Sequence, residues 1–155
     1  LETPLPGTLQ LLVVCGEDAA GQQRLTEAAR RSPMPVRVFG FVDTMAQLMA
    51  VSDLIVAKAG GLTVSEALAR GAPLILYHII PGQEQMNAHY VARQGAGVIA
   101  RGPHHVAQMV QQLVADPSRL YAMRQAARRL GRPNAAQEIV ARVVQPLLQS
   151  VVRRP

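Results

Sequence analysis

KAGGLTVSEALARG, Lys58 to Gly71, follows directly on the apolar run Asp53-Leu54-Ile55-Val56-Ala57 and sets two adjacent glycines where a strand gives way to a helix. A chain leaving a buried strand exposes bare backbone there, then offers Thr63, Ser65 and Glu66 in the first helical turn. In open α/β sheets ligands sit outside the carboxyl ends of strands, and this turn lies at such an end. Residues without bulky side chains let backbone N–H groups approach an anion, and the following helix adds unpaired donors and the positive end of its dipole. Thr63 adds a hydroxyl and Lys58 a point charge. The same residues also read as a capping box, with the Thr63 side chain on the Glu66 N–H and the Glu66 side chain reaching back. The turn is neither G-x-G-x-x-G nor a P-loop, so pattern alone leaves two readings: a phosphate seat, or a plain strand-to-helix turn.

Working outward, apolar runs rich in Val, Ile and Leu alternate with segments of helical period, the signature of a parallel sheet covered on both faces. The runs predict strands at Leu11 to Cys15, Val36 to Phe39, Asp53 to Ala57, Leu74 to His78 and Gly97 to Ala100. Helices are expected over 22–31, 44–51, 63–70, 84–94, 104–115, 117–130 and 135–149. Most connections are short and carry Gly or Pro, which makes 1–155 one α/β unit, a Rossmann-like doubly wound parallel sheet. Residues 1–10, with two prolines and a glycine, read as a connector and 152–155 as a frayed tail. No internal repeat or low-complexity segment is visible.

Composition narrows the function classes. With 155 residues and 49% hydrophobic content the chain has ample material for a core. The longest apolar runs fall well short of the ~20 residues of a membrane span, and nothing near residue 1 reads as a signal peptide, so the expectation is a soluble, cytoplasmic protein. The single cysteine, Cys15, ends an apolar run and reads as a buried small hydrophobe. The net charge is +6, and of the sixteen basic residues only Lys58 is a lysine. The late arginines, from Arg119 to Arg154, suit solvated helix faces first and an anionic membrane surface second. Nucleic acid is not expected, since base-stacking aromatics are nearly absent. No His/Cys/Asp cluster has metal-ligand spacing, and His104-His105 reads as a surface pair at a helix start.

A second loop, Pro81-Gly82-Gln83-Glu84-Gln85-Met86-Asn87, leaves the next strand at the same edge. Gln83, Glu84 and Asn87 can donate to and accept from several hydroxyls, which suits a sugar, or they simply begin a helix.

The stretch DLIVAKAGGLTVSEALARGAPLILYHIIPGQEQMNAHYVARQGAGVIA resembles the C-terminal, donor-binding domain of the diacylglycerol glycosyltransferases. These are the monogalactosyldiacylglycerol synthases and processive diacylglycerol glucosyltransferases, relatives of the lipid II-forming N-acetylglucosaminyltransferase. K-A-G-G-L-T-x-x-E-A-L and P-G-Q-E-x-x-N carry the resemblance, which covers roughly Leu11 to Ala115. It implies the C-terminal half of an inverting GT-B glycosyltransferase that moves a hexose from a UDP-sugar to a lipid hydroxyl such as that of diacylglycerol. UDP-sugar would be substrate, with no cofactor or metal.

By the same resemblance Glu66 takes the ribose hydroxyls; Gly60, Gly61, Leu62 and Thr63 form the diphosphate turn; and the backbone of Val42 reads the uracil edge. Gln83 and Glu84 contact the sugar, Asn87 supports their loop and Lys58 stands near the phosphates. The family's donor domain usually opens with a further strand and a G-G-x-G-type loop, and its acceptor-binding domain supplies the proposed catalytic base; neither precedes Leu11 here. The expectation is therefore a sheet lacking its first strand, rearranged or joined to another chain across its edges, weak UDP binding and no transfer by the chain alone. Its partners would be the missing acceptor domain or a partner subunit, with membrane association at the cytoplasmic face. The alternatives are a stand-alone donor subunit of a split N-acetylglucosaminyltransferase and a non-catalytic nucleotide-sugar-binding module.

Overall fold

In the computed structural model residues 9–152 are described, with side chains to residue 149. Five short strands alternate with helices: β1 (Leu11–Val14), α1 (Ala19–Ala29), β2 (Val36–Phe39), α2 (Met45–Val51), β3 (Ile55–Ala57), α3 (Gly61–Ala69), β4 (Leu74–Leu76), α4 (Gln83–Arg93) and β5 (Gly97–Ile99). The helices α5 (Pro103–Ala115), α6 (Pro117–Leu130), α7 (Ala135–Ile139) and α8 (Gln145–Val152) follow, the last two joined by a π-helical turn over Val140–Val144. Of the connector expected over residues 1–10, residues 1–8 lie outside the described residues, as does the tail from Arg153 onward, while Val152 closes α8.

All pairings are parallel, but the strands do not make one ladder. β1 pairs with β2, and β3, β4 and β5 form a second ladder in that order. In β1 the amides of Leu11 and Cys15 donate toward β2, to the carbonyls of Pro35 and Phe39 at 2.9 Å each. Leu12 and Val14 therefore turn their backbone groups to the other edge, as Val56 does in β3, because alternate residues of a strand serve opposite neighbours. No strand pairing joins the two ladders among the described residues. The parallel α/β architecture is as expected, with its strands divided between two ladders.

The core explains why the second ladder dominates. Leu74, Ile75 and Leu76 are wholly buried, each worth about 1.5–3 kcal/mol of burial. Leu74 and Leu76 face a cluster with Val64, Leu68, Val91 and Ala127, drawn from α3, α4 and α6. Ile75 faces the opposite cluster with Leu113 and Met123, from α5 and α6. Gly131 lets α6 end against α3: a Cβ there would lie 2.2 Å from the Leu68 carbonyl oxygen. Arg124 on α6 pairs with Asp53 just before β3, Nη2 to Oδ1 2.7 Å.

Several expected boundaries shift for physical reasons. α1 starts at Ala19 because Asp18 caps it, its Oδ1 accepting from the Gly21 N–H at 2.8 Å. β4 stops at Leu76 because His78 adopts a left-handed conformation, φ 54°. The helix expected over 135–149 is interrupted at Val140–Val144, just before Pro146, which cannot donate to the preceding turn and is accommodated by the wider one. Ile139, Val143 and Leu147 along it are exposed, and Arg142 pairs with Glu138 at 3.7 Å. Cys15 is a free thiol and half-buried, not buried.

Candidate functional site

β3 ends at Ala57, and Lys58, Ala59 and Gly60 carry the chain into α3. Gly60 is the N-cap, extended at φ −61° and ψ 140°, and the first helical bond runs from the Val64 N–H to the Gly60 carbonyl at 3.0 Å. The capping box is not formed. α3 begins two residues earlier than the Thr63 start expected from sequence, no side chain caps it, and Glu66 is exposed in its second turn without a partner among the described residues. Thr63 is half-buried in the first turn. The N–H groups of Gly61, Leu62 and Thr63 consequently have no protein acceptor among the described residues and point with the helix dipole out of the carboxyl edge.

The glycines there answer no demand of the fold. Gly60 has an ordinary φ, and a Cβ built on it meets nothing within 4 Å; one on Gly61 meets only the Asn87 Nδ2 at 4.0 Å. This contrasts with Gly131, where backbone occupies the space. Lys58 and Leu62 are exposed beside the turn.

The second loop meets the first through one bond: Asn87 Nδ2 donates to the Ala59 carbonyl at 2.9 Å, across 28 residues. Ala59 is fully buried, so the bond fixes the glycine turn to α4. α4 is also uncapped by a side chain, with Gly82 as N-cap at φ 105°. Gln83 is exposed in its first turn, whereas Glu84 is half-buried and turns back, its Oε2 accepting from the Ile80 N–H at 3.0 Å. Both loops follow adjacent strands, β3 and β4, so Lys58, Gly60, Gly61, Leu62, Thr63, Gln83, Glu84 and Asn87 share one edge. Val42 lies apart, half-buried in the loop after β2 on the other ladder, and no bond joins it to the glycine turn. The sequence reading missed the Asn87 tether's acceptor and the Glu84–Ile80 bond, for which local pattern held no signal.

Two other groups resolve simply. His105 Nδ1 accepts from the Arg101 N–H at 3.1 Å at the start of α5, and His104 pairs with Gln108 at 3.3 Å. No group of three His, Cys, Asp or Glu that could hold a metal ion occurs among the described residues. No helix among them is long and apolar enough to cross a membrane. A cavity of about 400 Å³ lies between α1 and the β1–β2 ladder and is lined by none of the candidate residues.

The chain is similar to known proteins. A processive diacylglycerol β-glucosyltransferase of Bacillus cereus (strain AH187) is 39% identical over 132 residues, covering 85% of this chain and 34% of the relative. The chain thus spans about a third of the length of the curated relatives it matches. Among solved structures, MurG of Acinetobacter baumannii superposes with a TM-score of 0.75 at 25% identity, over 91% of this chain and 42% of that one. WaaG, a glycosyltransferase involved in lipopolysaccharide biosynthesis, shares the fold at a TM-score of 0.62 and 21% identity, over 84% and 38%. The family model of the glycosyltransferase family 28 C-terminal domain matches residues 2–139, both loops and the whole of the strand-bearing part included. With its uncapped glycine turn at the end of β3 and its P-G-Q-E loop after β4, the chain belongs to the C-terminal domain family of glycosyltransferase family 28 and has the fold of the C-terminal half of a GT-B glycosyltransferase.

Proposed function

We propose that the chain binds the UDP-sugar donor of a hexosyltransferase whose acceptor is a lipid hydroxyl such as that of diacylglycerol. The observation that carries this reading is the open space at Gly60 and Gly61. Where a fold needs neither a positive φ nor a close approach, a pair of glycines at a helix start is explained by something that must come close from outside. The diphosphate would lie on the N–H groups of Gly61, Leu62 and Thr63, with Lys58 and the Thr63 hydroxyl beside it. Glu66, unengaged in any cap, would accept from the ribose hydroxyls, and the backbone of Val42 would meet the uracil. Gln83 would contact the sugar directly; Glu84, with one oxygen on the Ile80 N–H, keeps the other for it.

In the reaction the acceptor oxygen attacks the anomeric carbon, its proton passes to a base outside this chain, and the bond from that carbon to the phosphate oxygen breaks. Its electron pair stays on the departing UDP. The donors fixed at the start of α3 stabilise that growing charge without reorganising, which is where such groups are worth most. The acceptor half of a longer polypeptide or a partner subunit would supply the base, and a diacylglycerol acceptor would set the reaction at a membrane surface, at the cytoplasmic face.

NMR titration of the 155-residue chain with UDP, UDP-glucose, UDP-galactose and UDP-N-acetylglucosamine tests the reading. Shifts at the Gly60, Gly61 and Thr63 amides that saturate with UDP are the expected result. Spectra unchanged at millimolar UDP would refute it.

A further inference from the structure

His78 is the one non-glycine residue with positive φ among the described residues. Its turn does a packing job. Along β4, Leu74 and Leu76 face one core cluster while Ile75 and Tyr77 face the other, so regular alternation would send residue 78 into the first. The left-handed step slips the register by one: Ile79 enters that cluster and His78 stays exposed. The chain is pinned on both sides, the Tyr77 N–H to the Ala57 carbonyl at 3.0 Å and, two residues beyond His78, the Ile80 N–H to the Glu84 carboxylate at 3.0 Å.

Packing explains the turn but not the side chain. Glycine adopts this conformation freely, whereas a Cβ raises its energy, histidine being among the more tolerant residues. The imidazole contributes no bond in return: its ring contact is with Tyr77, centroids 5.9 Å apart and tilted by 49°, and neither nitrogen has a hydrogen-bond partner among the described residues. The backbone on either side of it is tied to both loops. Ala57, which holds the Tyr77 amide, directly precedes Lys58, and Glu84, which holds the Ile80 amide, is in the first turn of α4.

We propose that His78 is a donor-recognition residue whose imidazole N–H hydrogen-bonds the sugar-bearing phosphate of the nucleotide sugar. This rests on the reading of the site as a UDP-sugar seat. An imidazole keeps an N–H donor whether neutral or charged, so the contact does not depend on its protonation. UMP lacks the second phosphate, so the loss of a contact to that phosphate weakens UDP and leaves UMP unchanged.

The test titrates the wild-type chain, His78→Gly and His78→Asn with UMP and UDP by NMR, with thermal unfolding alongside. His78→Gly relieves the left-handed Cβ, so its Tm should equal or exceed that of the wild type. Its Kd for UDP should rise about tenfold, the loss of one charged hydrogen bond, with UMP unchanged within about twofold. His78→Asn tolerates the same backbone and restores a donor, so it should recover part of the UDP affinity. Unchanged UDP binding in His78→Gly, equal losses for UMP and UDP, or an Asn variant no better than Gly would overturn the role of His78 while leaving the seat intact. A wild-type chain that binds neither nucleotide overturns the seat and this inference with it.

Discussion

Gly61→Ala separates a glycine kept for the fold from one kept for a ligand. The added methyl enters a helical first turn whose φ is not left-handed, and its nearest non-local neighbour is the Asn87 Nδ2 at 4.0 Å, ordinary contact. Nothing must move, so stability should hold or rise: glycine-to-alanine exchange at a compatible site gains about 0.4–1 kcal/mol, or roughly 1–4 °C in Tm for a domain of this size. For an anion on the Gly61, Leu62 and Thr63 amides the same methyl stands in the approach. Losing one charged hydrogen bond costs about 1.5–3 kcal/mol, which is roughly tenfold to a hundredfold in Kd. Thermal unfolding and UDP titration on the same sample read the two effects, which carry opposite signs. A variant that binds UDP as the wild type does would refute the argument from open space. One that unfolds several degrees lower would show that the glycine serves the fold after all.

Glu66→Ala should weaken UDP binding by about tenfold to a hundredfold, and since Glu66 caps nothing, its Tm should stay within about 2 °C of wild type; lost stability with unchanged UDP affinity would return Glu66 to a structural role. Gln83→Ala should narrow the difference in affinity between UDP and its preferred UDP-sugar while leaving UDP nearly unchanged, and equal losses for both would place Gln83 on the nucleotide. Glu84→Ala should do the same but also raise the exchange rate of the Ile80 amide, because its carboxylate holds that N–H. Gly131→Ala should lower stability by about 1–3 kcal/mol with no change in UDP affinity, since its Cβ would overlap the Leu68 carbonyl; an unchanged Tm would mean that α6 shifts freely on α3.

The strand starts were legible because each opens an apolar run, and Leu11, Val36, Leu74 and Gly97 begin strands as read. What pattern could not give was pairing. The break between the two ladders is a relation between segments distant in the chain, and the Asn87 bond to Ala59 is another, so neither leaves a local mark. The start of α3 was misplaced for a different reason. Thr63 with Glu66 satisfies the capping rule, while Gly60 and Gly61 look like breakers, yet at the N-cap and first helical position glycine costs little. The π-turn was invisible because Val140, Ala141, Val143 and Val144 keep an apolar face through a one-residue slip. The family resemblance named the residues of the edge, while the empty space around Gly60 and the idle Glu66 carboxylate came from geometry.

The interrupted ladder gives the molecule a seam of cooperativity. Amides of β4 lie under two core clusters and between two paired strands, so they should open to exchange only with global unfolding. Those of Leu12, Val14 and Val56 point into an edge with no strand partner and should exchange by small, local openings. The β1–α1–β2 unit can then breathe as a separate foldon, held to the rest by side chains and covalent connection rather than by a shared hydrogen-bonded sheet. Val42 rides on that unit, and Gly60, Gly61 and Glu66 do not. A ligand spanning both would spend part of its binding free energy stapling two foldons, and deuterium uptake in β1 and β2 would fall as it binds, well away from any atom it touches.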